Sequence, residues 1–166
     1  TPHQLKWNKC KLETISFGHG ITTTPLQATA LYAALTNGGK LIIPSLTNDG
    51  KITKTSIISS DTSLELRKIL RKVVTEDEGT AKLADVHGYY VGGKTGTSQN
   101  YKNNKENLNT FISIFPSHKP KYVLLVMLEN PQVAQNLIYD YKGLKIKAFR
   151  NEAGWNSVYT AGKIIK

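Results

Sequence analysis

The length and composition of the chain describe one globular unit. Its 166 residues suffice to bury a hydrophobic core, and 39% hydrophobic with 20% charged residues is ordinary for a folded domain. The sequence has no apolar run of about 18 residues, which excludes a membrane-spanning helix within it. The single cysteine, Cys10, excludes an internal disulfide. Cys10 and the four histidines show none of the spacings of a zinc site, so we predict no metal and no cofactor.

The net charge of +10 raises the question of an anionic partner. Basic proteins can bind nucleic acids or anionic membrane surfaces. Here the lysines are spread along the whole chain together with many asparagines and isoleucines, which indicates a composition bias with solvated faces. Residues 101–105 (YKNNK) mix aromatic and basic side chains, but the tip of a polar hairpin explains them equally well. We therefore predict no nucleic-acid partner.

The first predicted helix begins at Pro25. Thr24 can cap its free backbone N–H groups, and proline suits the first helical position because its missing donor is not needed there. Two consecutive glycines, Gly38 and Gly39, predict the end of the helix. The apolar stripe consists of Leu26, Ala30, Leu31, Ala33, Ala34 and Leu35. So many small residues predict a helix that packs closely against neighbours on several sides.

A second helix is predicted to begin at residues 60–62 and to end at residues 76–79. Thr62 and Glu65 have the spacing of a capping box, in which two side chains satisfy backbone donors reciprocally. The apolar face repeats every three or four residues and consists of Leu66, Ile69, Leu70 and Val73. This periodicity is typical of a helix with one buried face.

Three predicted strands follow, at residues 89–97, 110–115 and 122–128. The third is apolar throughout, which predicts that both of its faces are covered. Consecutive strands with short links should pair antiparallel. A further helix is predicted within residues 153–166. Helices followed by an antiparallel sheet indicate the α+β class, with the sheet covered by helices.

The sharpest chemical signal is the segment GGKTGT at residues 92–97. Lys-Thr-Gly is one of the active-site elements of serine β-lactamases and penicillin-binding proteins. Glycines around the lysine remove side chains, so a peptide-like substrate can lie along the strand and form main-chain hydrogen bonds. Lys94 would place a positive charge near a substrate carboxylate, Thr95 and Thr97 would add hydroxyl donors, and the N–H near Thr97 would face a developing oxyanion. A glycine-relieved edge strand with a surface lysine is the alternative interpretation.

Several segments carry a resemblance that extends over nearly the whole sequence. They are FGHGITTTPLQ at 17–27, YAALTNGG at 32–39, EGT at 78–80, GYYVGGKTGT at 88–97 and GWN at 154–156. Together they resemble the C-terminal part of the transpeptidase domain of class B penicillin-binding proteins. Class A enzymes share Lys-Thr-Gly but usually lack the Gly-His-Gly and Pro-Leu-Gln pattern found here. His19 departs from relatives with glutamine at this position and is assigned no role.

The resemblance implies the penicillin-binding transpeptidase fold, shared with serine β-lactamases. It also implies a serine D,D-transpeptidase that cross-links peptidoglycan stem peptides and is acylated by β-lactams. Lys94, Thr95 and Gly96 would be the third active-site motif, and Thr97 would supply an oxyanion-hole N–H and, with Thr95, contact the carboxylate of substrate or drug. The implied parent enzyme is anchored by an upstream segment at the extracytoplasmic face of the bacterial inner membrane. Its implied role is division rather than elongation, with cell-division proteins among its partners.

The nucleophile motif of that family is missing from this chain. No serine is followed three residues later by a lysine, although the family's nucleophile lies in Ser-x-x-Lys. Ser-x-Asn, the second motif, occurs only at residues 98–100, directly after Lys-Thr-Gly, and is interpreted as accidental. Residues 1–166 are therefore expected to be the C-terminal portion of one transpeptidase domain, incomplete at its N-terminal side and inactive alone. The N-terminal part of the same domain would be an obligatory partner.

Two other interpretations stay open for the isolated chain. One is a non-catalytic remnant or a cell-wall-binding module, because the nucleophile is missing. The other is a fragment of a β-lactamase or β-lactam sensor of the same superfamily, which the predicted helix after Thr24 disfavours. The resemblance further implies that the three strands pair in chain order and that the last one pairs with a segment before Thr1. Without that segment we expect an open strand edge through which the chain self-associates.

Overall fold

A computed structural model describes residues 11–16, 18, 21–47, 53–99, 107–141, 143–148 and 150–166. The helices are α1 (Lys11–Ser16), α2 (Pro25–Thr36), α3 (Ser60–Thr75) and α4 (Ser157–Ile165). The strands are β1 (Lys40–Ile42), β2 (Lys54–Ser56), β3 (Gly92–Gln99), β4 (Asn107–Phe115), β5 (Tyr122–Glu129), β6 (Ile138–Tyr141) and β7 (Leu144–Lys147). Short 3₁₀ helices lie at Lys82–Ala84 and Ala153–Trp155. His19 and residues 101–105 lie outside the described residues, and no helix of the described part is long and apolar enough to cross a membrane.

The centre of the fold is an antiparallel sheet in the order β3-β4-β5, which confirms the predicted strand order. Gly96 of β3 lies opposite Thr110 of β4, and Thr110 lies opposite Met127 of β5. Two hairpins, β1-β2 and β6-β7, form separate two-stranded sheets. Helix α3 packs against β3, while α2 and α4 both contact β4 and β5. The predicted α+β class, with helices covering an antiparallel sheet, is confirmed.

The hydrophobic core lies on the sheet face that α4 covers. Phe111 of β4 and Val126 of β5 lie opposite each other in the register, and both are buried. They pack with Val74 of α3 and Val158 of α4. Burial of side chains of this size contributes about 1.5–3 kcal/mol each. The core therefore fixes both helices against the sheet that carries the Lys-Thr-Gly segment.

The first predicted helix is confirmed in its start, and it contacts β1, α3, β4 and β5, but much of its surface is not buried. The Thr24 hydroxyl accepts from Gln27 N at 3.2 Å, and the Gln27 side chain accepts from Thr24 N at 3.0 Å, which is a complete capping box. Within α2, however, only Ala34 and Thr36 are buried, and Leu31 is 47% exposed. The apolar residues surround the helix on all sides, whereas burial is concentrated at its C-terminal end.

The predicted bounds of the second helix are confirmed, but its predicted cap is wrong. The Ser59 hydroxyl accepts a hydrogen bond from Thr62 N at 3.1 Å, so Ser59 is the N-cap and Thr62 lies inside α3. Glu65 instead forms an exposed ion pair with Lys68 at 2.7 Å. Ser59 and Thr62, three positions apart, could each cap the helix, and the spacing to Glu65 favoured Thr62, which lies inside it.

Two strand predictions need correction. β3 begins later than predicted because Tyr90 has a φ of 50°, a left-handed backbone conformation that cannot continue a strand. β5 is not covered on both faces, since Val126 is its one buried residue while Tyr122 and Met127 are 61% and 41% exposed. β5 is the last strand of its sheet in the described chain. Fewer of its apolar side chains are therefore buried than its sequence predicts.

The free edge of β5 leads to an expected self-association. Among the described residues β5 pairs with β4 alone, so its other edge presents N–H and C=O groups to a second chain. We expect the protein to self-associate in analytical ultracentrifugation and Met127→Lys to shift it towards the monomer, because a lysine on an edge strand opposes such pairing. Ile69→Lys on α3 is the matched control, because Ile69 is 56% exposed although its periodicity predicted a place on the buried face. A monomeric wild type, or equal behaviour of the two variants, would contradict this expectation.

Candidate active site

Strand β3 presents its lysine and its threonines on opposite faces of the sheet. Successive side chains of a strand alternate between the two faces. Thr95 lies opposite Phe111 in the register and shares the face of the core, whereas Lys94 lies opposite Ile112 on the other face. Thr97 follows Thr95 on the core face. The Lys-Thr-Gly segment therefore borders two different spaces of the protein.

The backbone of β3 has one edge that is unpaired within the described chain. Gly96 O accepts from the Thr110 hydroxyl of β4 at 3.2 Å, so this carbonyl points towards β4. Carbonyls alternate in direction along a strand, so the N–H and C=O groups of Thr95 and Thr97 point to the free edge. Val91 O, an odd-numbered carbonyl just before β3, accepts from an arginine of α3 at 2.6 Å, which agrees with this direction. The free edge can accept a peptide as an added strand.

Lys94 opens onto a groove of about 760 Å³, here called the lysine groove. Its lining comprises Gly18, Ile21–Pro25, Ala28 and Tyr32 on the helix side and Lys94–Ser98, Leu108, Thr110, Ile112, Leu125 and Met127 on the sheet side. The ammonium group of Lys94 donates to Thr95 O at 2.8 Å, which holds the charge beside the free edge. Burial raises the pKa of the Tyr32 phenol, which further favours its neutral form. The lysine groove thus combines one cation with a largely uncharged lining.

Two glycines of the segment are required by close contacts with β4. A Cβ on Gly93 would lie 2.6 Å from the ring of Phe111 and from Ile112 O. A Cβ on Gly96 would lie 2.6 Å from the hydroxyl of Thr110. The glycines therefore let the core ring and the Thr110 hydroxyl approach β3 closely. They also leave the strand free of bulky side chains beside the lysine.

The hydroxyls of Thr95 and Thr97 are held by two segments that are distant in the sequence. Thr95 Oγ1 and Thr80 Oγ1 form a hydrogen bond of 3.0 Å. Thr97 Oγ1 accepts from Ala153 N at 3.2 Å, so its own proton stays available for another acceptor. Gly154 permits this close arrangement because a Cβ there would lie 2.8 Å from Thr80 O. The two threonines are thereby fixed in orientation.

Beside these threonines lies a second space of about 480 Å³, here called the threonine cavity. Its lining comprises Gly79, Thr80, Lys82, Leu83, Thr95, Thr97, Tyr141, Ile146, Glu152, Ala153, Gly154 and Trp155. Lys82 and Glu152 bring opposite charges to a cavity whose other large side chains are aromatic or aliphatic. Thr95 and Thr97 line both the lysine groove and the threonine cavity, so the free edge of β3 connects the two.

The hairpin β6-β7 forms one wall of the threonine cavity and is anchored by aromatic residues. Tyr139 is buried, donates through its hydroxyl to Trp155 O at 2.7 Å, and contacts the Trp155 ring edge-on. Burial and, to a smaller extent, the neighbouring Tyr159 raise the pKa of Tyr139. At the hairpin turn, hydrogen bonds from Lys145 and from a backbone amide hold the pKa of Asp140 below its usual value.

Three asparagines hold the segment that contacts Thr97. Asn151 Oδ1 accepts from Asn109 Nδ2 at 3.0 Å and from Asn156 Nδ2 at 3.1 Å. Asn151 Nδ2 donates to Pro131 O. Asn109 is fully buried on β4, directly opposite Thr97. This asparagine network ties β4 to the short 3₁₀ helix whose first residue bonds to Thr97.

The four predicted site residues, Lys94, Thr95, Gly96 and Thr97, lie together on β3, and their catalytic roles stay predictions. Sequence reasoning missed the partners of the threonines, Thr80 and the 3₁₀ helix Ala153–Trp155. Thr80 belongs to EGT, and Gly154 and Trp155 belong to GWN, segments that already carried the resemblance but had been given no role in the site. Among the described residues no group of three or more histidine, cysteine or acidic side chains is arranged as a metal site.

The fold is that of the penicillin-binding protein transpeptidase domain. A family model described as the penicillin binding protein transpeptidase domain matches residues 2–150, and the chain belongs to this family. The apo structure of the TP domain of Burkholderia pseudomallei penicillin-binding protein 3 is similar, with a TM-score of 0.74 and 26% sequence identity. That similarity covers 95% of this chain and 46% of the other.

Curated relatives point to one branch of the family. Stage V sporulation protein D of Bacillus subtilis is 36% identical over 72% of this chain, and the match covers 21% of that protein. The probable peptidoglycan D,D-transpeptidase FtsI of Caulobacter vibrioides is 30% identical over 97% of this chain, and the match covers 28% of that protein. The chain thus spans 21% and 28% of the lengths of these two relatives. The resemblance to class B penicillin-binding proteins is confirmed.

Proposed function

We propose that this chain supplies the Lys-Thr-Gly part of the active site of a peptidoglycan D,D-transpeptidase. The free edge of β3 carries the proposal, because it turns the N–H and C=O groups of Thr95 and Thr97 towards an open space. Lys94 stands beside that edge, with its ammonium group 2.8 Å from Thr95 O. A strand edge with a cation at its side suits an extended peptide that ends in a carboxylate.

Each residue of the motif has a proposed role that its geometry supports. Lys94 provides positive charge near the reacting serine and the substrate. The N–H of Thr97 points to the free edge and serves as an oxyanion donor for the tetrahedral intermediate. The hydroxyl of Thr97 accepts from Ala153 N and keeps its proton for the carboxylate of the substrate. Thr95 shares that carboxylate, and Gly96 keeps the strand open between the two threonines.

The proposed ligands follow from the same features. A stem peptide ending in D-Ala-D-Ala lies along β3 as an added strand, and its terminal carboxylate meets the threonine hydroxyls. β-Lactams bind in the same place because they also present an amide-like carbonyl and a carboxylate. We propose a division-type enzyme at the extracytoplasmic face of the inner membrane, where cell-division proteins are its partners. The name of the FtsI relative supports this assignment.

The nucleophile is proposed to come from outside this chain. Residues 1–166 would form the C-terminal portion of one transpeptidase domain, and the Ser-x-x-Lys helix and the Ser-x-Asn loop would lie N-terminal to it. The partial coverage of the similar TP domain, 46%, supports this division of the domain. The lysine groove would then face the nucleophile, since Lys94 is the one motif side chain on that side of β3.

Exposure of the chain alone to a reactive penicillin is expected to yield no stoichiometric adduct. Without a serine and its lysine base no activated nucleophile is present. Intact-protein mass spectrometry after incubation measures the mass gain directly. A clean single adduct on this chain would overturn the proposed division of the active site.

A second arm of the same experiment tests the function itself. The reading frame upstream of Thr1 is extended until it includes a Ser-x-x-Lys segment, and the longer protein is incubated with the same penicillin. We expect one equivalent of acyl adduct, located on the serine of that segment. A longer protein that contains Ser-x-x-Lys, folds and still forms no adduct would favour a non-catalytic cell-wall module instead.

A further inference from the structure

One end of the central sheet combines positive charge with exposed aromatic rings. Strand β3 begins there, β4 ends there and β5 begins there, as the register of the three strands shows. The turn from β4 to β5, residues 116–121 (PSHKPK), contains two lysines and a histidine but no acidic residue. The guanidinium group of Arg67 on α3 donates to His118 O at 2.7 Å and so joins this turn. The surface is here called the basic tip and comprises Arg67, Tyr90, His118, Lys119, Lys121 and Tyr122.

The positive charges of the basic tip are not neutralised by the part of the chain that the structure describes. Neighbouring cations on α3 do have acidic partners, since Lys68 pairs with Glu65 at 2.7 Å and Arg71 with Asp85 at 2.9 Å. Within the same described ranges, Arg67, Lys119 and Lys121 form no ion pair, and both lysines are exposed. The basic tip therefore keeps a surplus of positive charge that an acidic partner can neutralise.

Two tyrosine rings accompany these charges at the surface. Tyr90 is 54% exposed, and its ring contacts the ring of His118 edge-on, with 5.2 Å between the centroids. Tyr122 is 61% exposed and packs against the ring of Phe115 at 5.4 Å. Tyrosine and arginine are enriched at the centres of protein–protein interfaces, because each supplies a large contact area with a polar end. The composition of the basic tip is therefore that of an interface.

The backbone of Tyr90 is held in a conformation that tyrosine rarely adopts. Its φ of 50° lies in the left-handed region, which glycine and asparagine occupy at lower cost. The carbonyl of Tyr90 accepts from Ser117 N at 2.8 Å, so the turn from β4 to β5 fixes this conformation. Strained backbone of this kind is concentrated at functional sites. Here the strain presents an aromatic ring to solvent beside His118, which points to a partner that contacts the ring.

We propose that the basic tip is a docking surface for an acidic segment of a partner protein. Carboxylates of the segment pair with Arg67, Lys119 and Lys121, while one large apolar side chain of the segment lies against the ring of Tyr90. A small anion would neutralise the charges but leave both rings exposed. A lipid surface is matched less well, because binding to it relies on tryptophan, phenylalanine or leucine side chains that enter the bilayer.

This inference goes beyond the proposed function and does not depend on it. None of the six residues of the basic tip lines the lysine groove or the threonine cavity. A partner can therefore dock at the basic tip whether or not a peptide occupies the free edge of β3. Failure of the docking surface would accordingly leave the proposed function intact.

The test uses synthetic peptides and the full ¹⁵N-labelled chain. The first peptide has a central leucine with glutamates on both sides. The second carries glutamines in place of the glutamates, and the third carries glycine in place of the leucine. Vesicles of phosphatidylglycerol are a separate probe for a lipid surface. NMR measures weak affinities, and the backbone amides of Tyr90 and His118 report occupation of the basic tip.

We expect the glutamate–leucine peptide to shift both amides and to bind about tenfold more tightly than either of the other peptides. Raising the salt concentration should weaken its binding, because the charges are exposed. The double variant Lys119→Glu with Lys121→Glu should bind it at least about tenfold more weakly. Tyr90→Asn removes the ring but tolerates the left-handed backbone, so it should remain folded and lose the preference for leucine over glycine.

The matched control is the double variant Lys40→Glu with Lys54→Glu. Both lysines are exposed on the hairpin β1-β2, and their replacement changes the net charge by the same amount. This variant should bind the glutamate–leucine peptide nearly as tightly as the wild type. Equal losses in the two double variants would show that the net charge of the chain, and not the basic tip, attracts the peptide, and would overturn the proposal.

The remaining outcomes each support or overturn one part of the inference. If the glutamate–leucine peptide shifts neither amide, the basic tip is not a docking surface for acidic segments. If the vesicles shift both amides and the peptide does not, the surface binds lipid and the protein partner is refuted. If Tyr90→Asn is folded and still prefers leucine over glycine, the role of the Tyr90 ring is refuted and the charges alone carry the binding.

Discussion

Replacing Lys94 with alanine is expected to slow acylation by a β-lactam about 100-fold or more, in an enzyme that joins this chain to its Ser-x-x-Lys segment. The ammonium group stands at the free edge of β3, where negative charge develops during attack on the carbonyl carbon. A fixed positive charge at this place stabilises the transition state more than the ground state. Stopped-flow measurement of acylation by a fluorescent penicillin gives the rate constant. Lys94→Arg keeps the positive charge but replaces the compact ammonium group with a larger planar guanidinium group. This variant should therefore recover only part of the acylation rate.

The matched control for this loss is Lys163→Ala. Lys163 is also an exposed lysine, but it lies on α4, the helix that covers the core face of the sheet. Its removal changes the net charge by the same amount and should leave the acylation rate nearly unchanged. Equal losses from the two substitutions would mean that long-range charge, and not the position of Lys94, controls acylation, and that the active-site strand is misassigned.

The features that sequence reasoning predicted correctly are local. The cap at Thr24 is decided by two residues three positions apart, and the structure shows both of its hydrogen bonds. The strand that carries Lys94 is likewise signalled by its own residues, and its pairing with β4 follows from the short connection between them. The antiparallel pairing followed from the short links between the strands, whereas the order of the strands was implied by the family resemblance.

The features that sequence reasoning missed depend on residues far apart in the chain. Thr95 bonds to a residue 15 positions away, and Thr97 bonds to one 56 positions away. The hairpin β6-β7 has strands of four residues each, too short for a clear periodic pattern. The threonine cavity is formed by these distant segments together. No spacing within the sequence predicts that Lys82 and Glu152 line the same cavity.

The wrong predictions have equally physical reasons. An all-apolar strand was predicted to be covered on both faces, yet β5 lies at the edge of its sheet within the described chain. A helix rich in small apolar residues was predicted to pack closely on several sides; α2 does contact several elements, yet Leu31 is 47% exposed. Apolar composition indicates that a segment is to be buried, but it does not show which neighbouring segment buries it.

Asn151→Ala is expected to be among the most destabilising single changes outside the apolar core. Asn151 accepts from Asn109 and Asn156 and donates to Pro131 O, so alanine leaves three polar partners without it. Each partly buried polar group that loses its hydrogen bond costs about 1–3 kcal/mol. Because some partners remain open to water, we expect a total loss of roughly 2–4 kcal/mol and a fall in Tm of roughly 5–15 °C. Thermal unfolding followed by circular dichroism measures both quantities.

Two further variants show whether the asparagine network or the asparagine residue as such is responsible. Asn151→Asp keeps an oxygen acceptor for Asn109 and Asn156 but loses the donor to Pro131 O, so its stability should lie between wild type and alanine. Asn136→Ala changes an exposed asparagine and should alter Tm by little. In the acylating enzyme, Asn151→Ala should also weaken carboxylate recognition, because the segment that orients the Thr97 hydroxyl is no longer tied to β4. A Tm for Asn151→Ala equal to that of Asn136→Ala would show that the three asparagines do not hold this segment in place.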